Sequence, residues 1–502
     1  MTTQQLSQYS TRTDSVHKSV ECKINELVFA VDDSPHDDSA ISDIQDDDSI
    51  MKLFEIYLTC QDRIIYQKLQ ILSRDGNNIA TAYLYSALSR IHKNNDSHDI
   101  ILVRSVTEWL LAQPYTNSHA KYNLGCFFHF GIGLNRDLST AAWYYKQAAG
   151  MNHPMAQYSI GVFYDRGQVE TLGHNAYEAA QYCRMAADQG LALAQYNLGT
   201  FYQKGNGVKK NLAEAVHYFQ LAADQGFPRA RYNLGVCFDK GEGIDQDPAR
   251  AAHYYRLAAD ENNLAPAQYN LGILYETGDG VIQDMNEALR YFQLSSNQGF
   301  SHATYSLGGR YYDGVGVPQD KTEAFRLFKV AADDGDLAIA QYSVGFCYYD
   351  GEGVAKDLHE AVKYFKLAAD QKFSAAQYNM GTCYYLGLGT EKNIKEAICY
   401  FQYAADQNHT ESQFIIGSFY LRGKYVQKSI PDALKYLNLA AVQGNHKPAQ
   451  LKLGNCYRYG AGISRDHEKA MFYFGLAASD TPSITRSNSF NPEIRFKTVT
   501  IM

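Results

Sequence analysis

Apolar and polar positions recur along most of this chain with one long period. A Leu-Gly pair, or Ile-, Val- or Met-Gly in its place, puts glycine at 125, 161, 199, 235, 272, 308, 345, 381, 417 and 454, at successive intervals of 36 to 38 residues. Within each interval the short-range pattern is helical. In AQYNLGTFYQKGNGVKKNLAEAVHYFQLAADQG, residues 194–226, Ala194, Leu198 and Tyr202 stand at i, i+4 and i+8 and share one face of a first helix. Gly205 and Gly207 end it, and Asn211 with Glu214 predicts a capping box that opens a second helix. The same Asp/Asn-x-x-Glu recurs at Asp284 and Glu287, Asp320 and Glu323, Asp357 and Glu360, and Asn393 and Glu396. Ala215, Phe219, Ala222 and Ala223 form the second helix's apolar stripe, and Gly226 supplies its left-handed end. Two short helices per period predict a stack of helix hairpins. Gly199 and its counterparts lie inside first helices, where glycine costs about 1 kcal/mol relative to alanine. Ten recurrences of that cost predict close backbone contact with a neighbouring helix.

The elements A-x-Y-x-L-G-x-x-Y, G-x-G-V and A-x-x-Y-F-x-x-A-A stand in this order in repeat after repeat. They resemble the Sel-one-like repeat family, a branch of the tetratricopeptide-like α-solenoids. The resemblance implies an all-α fold, a right-handed α-solenoid of about ten helix-turn-helix repeats with a continuous inner groove. With helices about 10 Å apart, its length would be on the order of 100 Å. It also implies a scaffold or adaptor. Members of the family act in signalling complexes, cell-wall synthase activation, membrane-protein degradation complexes of the endoplasmic reticulum and mitochondrial stress relay.

The repeats occupy 118–478. Before them, residues 1–48 are polar and rich in Asp, as in VDDSPHDDSAISDIQDDDS, and are expected to be a disordered acidic arm, either solvating or regulatory. Residues 50–115 return to helical periodicity and are expected to cap the array as degenerate repeats, or to form a small domain. Residues 479–502 lose the period and are expected to be a flexible tail. Two repeats are irregular: QVETLGHNAY replaces the G-x-G-V loop in the second, and RGKYVQKSIPDA in the ninth loses that loop's second glycine. Such departures mark drift, a curvature change or a partner contact.

Composition then narrows the function. Net charge is −8 and no basic block accompanies the aromatics, so no nucleic-acid partner is expected. No apolar run reaches 18 residues and no apolar leader segment is visible, which predicts no membrane insertion and a cytoplasmic or nuclear setting. Of nine cysteines, Cys237, Cys347, Cys383 and Cys456 sit two residues after the repeat glycine, a slot filled elsewhere by Phe127, Phe163, Phe201, Leu274 and Phe419. That slot is expected to be buried, with Arg310 as the exception. Cysteine-rich bacterial relatives pair two cysteines within each repeat. Only the eighth repeat here has one in each helix, Cys383 and Cys399, so no disulfide framework is expected.

No enzyme, metal site or cofactor is expected. The glycine loops at 278–280, 314–316 and 351–353 follow helices and lack a third glycine or a Lys-Ser/Thr, so they read as connectors. Ser15-Val16-His17-Lys18 matches S-x-x-K without S-D-N or K-T-G beside it. No H-E-x-x-H occurs, and His217 and His253 share one surface slot. The alternatives are an organellar adaptor or a hydrolase of the cysteine-rich bacterial type. Recognition of a protein or peptide partner remains. Asn123, Asn197, Asn233, Asn270 and Asn379 lie two residues before their repeat glycine, at a place that faces the inner groove in tetratricopeptide-like arrays. An amide there can bind an extended backbone or a terminal carboxylate, or else bond neighbouring helix ends. Tyr312 and Tyr349 are expected to be exposed beside them. Ser34, with Asp37, and Ser489, in Arg486-Ser487-Asn488-Ser489-Phe490, are candidate phosphorylation sites, and Thr500-Ile501-Met502 loosely matches a PDZ ligand.

Overall fold

The computed structural model describes residues 118–131 and 135–479. The expected arm, cap and tail lie outside these residues, as do Ser34 and Ser489. Helices follow one another in hairpin pairs, and no strand occurs among the described residues. One compact unit ends at Phe227 and contains α1 Ser118–Phe130, α2 Leu138–Gly150, α3 Pro154–Arg166, α4 Ala176–Asp188, α5 Ala192–Lys204 and α6 Leu212–Asp224. The other begins at Pro228 and holds seven hairpins. These are α7 Pro228–Lys240, α8 Pro248–Arg256, α9 Ala265–Thr277, α10 Met285–Asn297, α11 Ser301–Asp313, α12 Lys321–Asp333 and α13 Ala338–Asp350, then α14 Leu358–Asp370, α15 Ser374–Leu386, α16 Ile394–Asp406, α17 Thr410–Arg422, α18 Ile430–Asn438, α19 Lys447–Tyr459 and α20 His467–Ala478. Within each unit a helix touches its hairpin partner and the adjoining helix of the next hairpin, the arrangement of an α-solenoid.

Second helices start on side-chain caps. Asp284 Oδ1 accepts from the N–H groups of Asn286 and Glu287 at 2.9 and 3.2 Å, and Asn211, Asp320, Asp357 and Asn393 do the same. Each such cap stabilises its helix by about 1 kcal/mol. The reciprocal half of the expected capping box is corrected. The N–H of Asn211 donates to the Tyr202 carbonyl, and that of Asp284 to the Tyr275 carbonyl. Loop closure has already used the donor that a returning glutamate would meet. Glu287 and Glu323 instead pair with Arg290 and Arg326 at 2.8 and 2.7 Å.

The repeat glycines do sit at a close approach, but the group that meets them first is an aromatic ring. A Cβ on Gly272, Gly308 or Gly345 would lie 2.7–2.8 Å from Cδ1 and Cε1 of Phe292, Phe328 or Phe365, with second-helix carbonyls next at 3.2–3.3 Å. Connector glycines answer to the neighbouring hairpin. Gly353 has φ +71°, and a Cβ there would run into the Lys321 carbonyl that opens α12. Three intervals have 37 residues: at Gly235–Gly272 and Gly417–Gly454 π turns at Leu257–Glu261 and Leu439–Gln443 take up the extra residue, and at Gly308–Gly345 the connection 334–337 does so.

Buried amides tie successive hairpins together. Gln377 in α15 donates to the Ala369 carbonyl at the end of α14 (3.4 Å) and accepts from Gln407, just after α16, at 2.6 Å. Gln157 with Gln189, and Gln195 with Gln225, repeat this at 2.7 Å. Three helices are held by one glutamine, whose polar atoms are satisfied where water cannot reach.

Candidate functional site

In some repeats the slot two residues before the repeat glycine meets the tyrosine of the preceding hairpin. Asn197 Nδ2 donates to the Tyr158 hydroxyl at 3.1 Å. Asn270 stands near Tyr232 and Tyr255, whose phenols burial pushes up. Ser343 Oγ stands 3.4 Å from the Tyr305 hydroxyl. Asn197 thus takes the template role left open above, and Ser343 stands in the same slot. Asn123 and Asn379 are 4% and 1% exposed, whereas Asn233 is half-buried. Both amide atoms of Asn379 lack a hydrogen-bond partner.

Tyr312 is corrected from exposed to buried: it is 1% exposed, and its hydroxyl donates to Glu352, which also holds Lys321 at 2.7 Å. Tyr349 is half-buried, with the Lys356 ammonium 5.3 Å from its ring centroid. Tyr385 repeats this pairing with Lys392 at 6.0 Å. Tyr385 was missed, although Tyr312, Tyr349 and Tyr385 each follow their repeat glycine by four residues.

The cysteine slot is buried as expected at Cys237, Cys347, Cys383 and Cys456. Burial pushes the Cys347 and Cys383 thiols up to about 12, so they stay protonated and poorly nucleophilic. Cys383 and the exposed Cys399 are both free thiols. Arg310 is accommodated in the same slot by an ion pair with Glu276 of the preceding hairpin, its guanidinium 5.8 Å from the Phe292 centroid. His217 and His253 are exposed, each packed edge-on against the following tyrosine.

Among the described residues, no group of three or more His, Cys, Asp or Glu side chains is placed to hold a metal ion, and no helix is long and apolar enough to cross a membrane. The first unit has an open cleft on its second-helix side, lined by Tyr177, Arg184, Tyr202, Lys210 and Tyr218, where Arg184 donates to the Tyr202 hydroxyl. The second unit has a smaller, more enclosed cavity on its first-helix side, between α17 and α19.

The Sel1 repeat model matches the chain ten times, at 118–153, 154–191, 192–227, 228–263, 265–300, 301–336, 338–373, 374–409, 410–445 and 447–481. Among solved structures, c5321, a protective antigen present in uropathogenic Escherichia coli strains and displaying an SLR fold, is 29% identical with a TM-score of 0.61. The alignment covers 82% of this chain and 86% of that one. A Sel1 repeat protein from Oxalobacter formigenes is 30% identical with a TM-score of 0.46, covering 61% of this chain and 87% of its own. No curated protein matches the chain.

Proposed function

The chain belongs to the Sel1 repeat family, and from that premise we propose that it is a non-enzymatic scaffold holding protein partners in extended form along the first-helix face of its repeats. One observation carries this reading. In the second unit, Leu271, Leu307, Val344, Met380 and the rings of Phe292, Phe328 and Phe365 are consumed by stacking. Asn233, Asn270, Tyr349 and Tyr385 stay half-buried on the first helices, with Lys356 and Lys392 beside the two rings. An amide can both donate to and accept from a peptide backbone. A tyrosine flanked by a cation offers contact area with a positive edge.

The test is proximity labelling in cells with the full chain and with an Asn233→Ala/Tyr385→Ala variant. A reproducible set of protein partners that thins in the variant is expected. A variant with an unchanged partner set would refute the assigned face, and the absence of any reproducible set would refute the scaffold.

A further inference from the structure

The ninth and tenth hairpins, α17/α18 and α19/α20, depart from the repeat template at one patch of the first-helix face, and the departures converge. In the tenth repeat the slot that carries Asn or Ser in most other repeats holds Lys452. Its Nζ donates to Ser418 Oγ at 2.6 Å and lies 4.4 Å from the Phe414 centroid. Ser418 passes its own hydrogen to the Phe414 carbonyl at 2.7 Å, which fixes the chain and leaves two ammonium hydrogens for a ligand. No carboxylate among the described residues pairs with Lys452. Burial, then the charge of Arg422, holds the ammonium down at about 8.

The enclosed cavity at this ammonium is lined by Arg422, Lys424 and Ser418, with Phe414 and Phe419 among its apolar walls, and it contains no acidic residue. Beside it, the ninth repeat has Tyr425 where the eighth has the connector Gly389. Tyr425 adopts the same left-handed backbone, φ 70° against 66°, a conformation that a residue with a Cβ holds only at a cost. Its ring packs edge-on against Phe419 at 5.5 Å and Tyr385 at 6.1 Å, with the Lys424 ammonium 4.9 Å away. A half-desolvated cation without a counter-ion and a strained aromatic in a glycine position both oppose stability, and they sit together.

We propose that this patch is a carboxylate pocket for a peptide. Lys452 and Arg422 bind the carboxylate, and the neighbouring apolar side chain of the ligand lies on Phe419 and Tyr425. The assignment rests on the first-helix face binding peptides, and it adds the chemistry of one anchor. A free C-terminus and an Asp or Glu side chain offer the same group, and one carboxylate oxygen fits the cavity, whose roughly 20 Å³ has room for about one water-sized atom, while the other stays at its exposed Arg422 rim.

The probe is an array of acetylated random hexapeptides made in two series, C-terminal acids and C-terminal amides, each with and without internal Asp or Glu. It is screened with the full chain, and hits are measured by calorimetry. Tight binders are expected to require an acid, and the series in which they occur tells terminal from side-chain carboxylates. Lys452→Met keeps the stem's volume against Phe414 and is expected to weaken binding roughly 10- to 100-fold, the worth of a lost charge-assisted hydrogen bond. Arg422→Gln, at an exposed position, is expected to weaken it several-fold. Tyr425→Gly is expected to weaken binding without lowering the melting temperature, a combination that a purely structural tyrosine would not give. Neutral peptides binding as tightly as acidic ones would overturn the pocket. So would acidic hits that bind Lys452→Met and Arg422→Gln as tightly as the unaltered chain. If Tyr385→Ala weakens the hits while Lys452→Met does not, the pocket alone falls. If no peptide binds the unaltered chain, the peptide-binding face falls and the pocket with it.

Discussion

Replacing Gly345 with alanine sets two effects of known size against each other. Gly345 lies in the middle of α13, so Gly345→Ala gains about 1 kcal/mol of helix propensity. The new Cβ would stand 2.7 and 2.8 Å from Cδ1 and Cε1 of Phe365, and 3.2 Å from the Ala361 carbonyl. Carbon atoms prefer about 3.5–4.0 Å, so the ring must retreat by close to 1 Å. Phe365 is fully buried among Ala361, Ala368, Ala376 and Met380 and has little space to retreat into. Overpacking of this kind costs about 1–3 kcal/mol, leaving a net loss of roughly 0–2 kcal/mol. That sum alone decides little, but a double-mutant cycle does. Phe365→Ala is costly in itself, roughly 3–5 kcal/mol, yet it removes the obstacle. In that background Gly345→Ala should stabilise by up to about 1 kcal/mol, so the coupling between the two sites should be about 1–3 kcal/mol. A stack of hairpins does not unfold as one two-state unit, so the readout is local: opening free energies from amide hydrogen exchange across 338–370. Gly161 is the internal control. Its second helix offers Cys183 in place of a ring, the nearest groups stand at 3.2 Å, and Gly161→Ala should cost less than Gly345→Ala. An equal cost for Gly345→Ala with and without the Phe365 ring would refute the explanation of the repeat glycine.

Three further outcomes are expected. His409 accepts the Ser412 N–H at 3.3 Å and stacks on Tyr378, and burial, against a weaker upward pull from Glu411, lowers its imidazole to about 4. The unfolded chain therefore binds the proton first, and stability should fall as pH drops from about 6.5 to 4. His409→Asn, which can still cap α17, should flatten that limb of a urea-midpoint profile. Lys452 has its ammonium held at about 8 against an ordinary 10.5, facing Arg422 and Cys456 with Lys424 on the same cavity, so ligand-free stability should rise between pH 8 and 10.5. Lys452→Met should raise the melting temperature at pH 7 by an amount that shrinks above pH 8. Gln377→Leu would take one donor from the Ala369 carbonyl, which keeps the Lys372 N–H, and one acceptor from the Gln407 amide, which keeps the Tyr403 carbonyl, and should cost about 0.5–1.5 kcal/mol, seen as faster hydrogen exchange in 374–406.

The hairpins could be read from the chain because their interiors are local: each buried Ala, Leu or Phe packs on its own hairpin or the next, so one 36-residue pattern carries the whole core. Side-chain direction was harder to read. Tyr312 has the same spacing from its glycine as the half-buried Tyr349 and Tyr385, and what buries it is tertiary: its ring lies 6.2 Å from that of Phe328 and its hydroxyl is held by Glu352 of the next hairpin. Its neighbour Tyr311 is the half-buried one. The glutamine relay escaped notice for a different reason. A polar residue at Gln377 reads as a break in the apolar stripe until the helix end it satisfies is in view. At Lys452 and Tyr425 the same comparison runs the other way. The structure supplies a stacking reason for Gln377, for Asn197 and for the ring beside Gly345, whereas Lys452 has a hydroxyl where its charge would call for a counter-ion, and Tyr425 makes its ring contacts only by holding a left-handed backbone. In an array whose repeats solve one packing problem ten times, a departure that adds strain and an uncompensated charge is where a partner outside the array is to be sought first. That places the first ligand to look for at α17 and α19, ahead of the regular first-helix face that the repeats share.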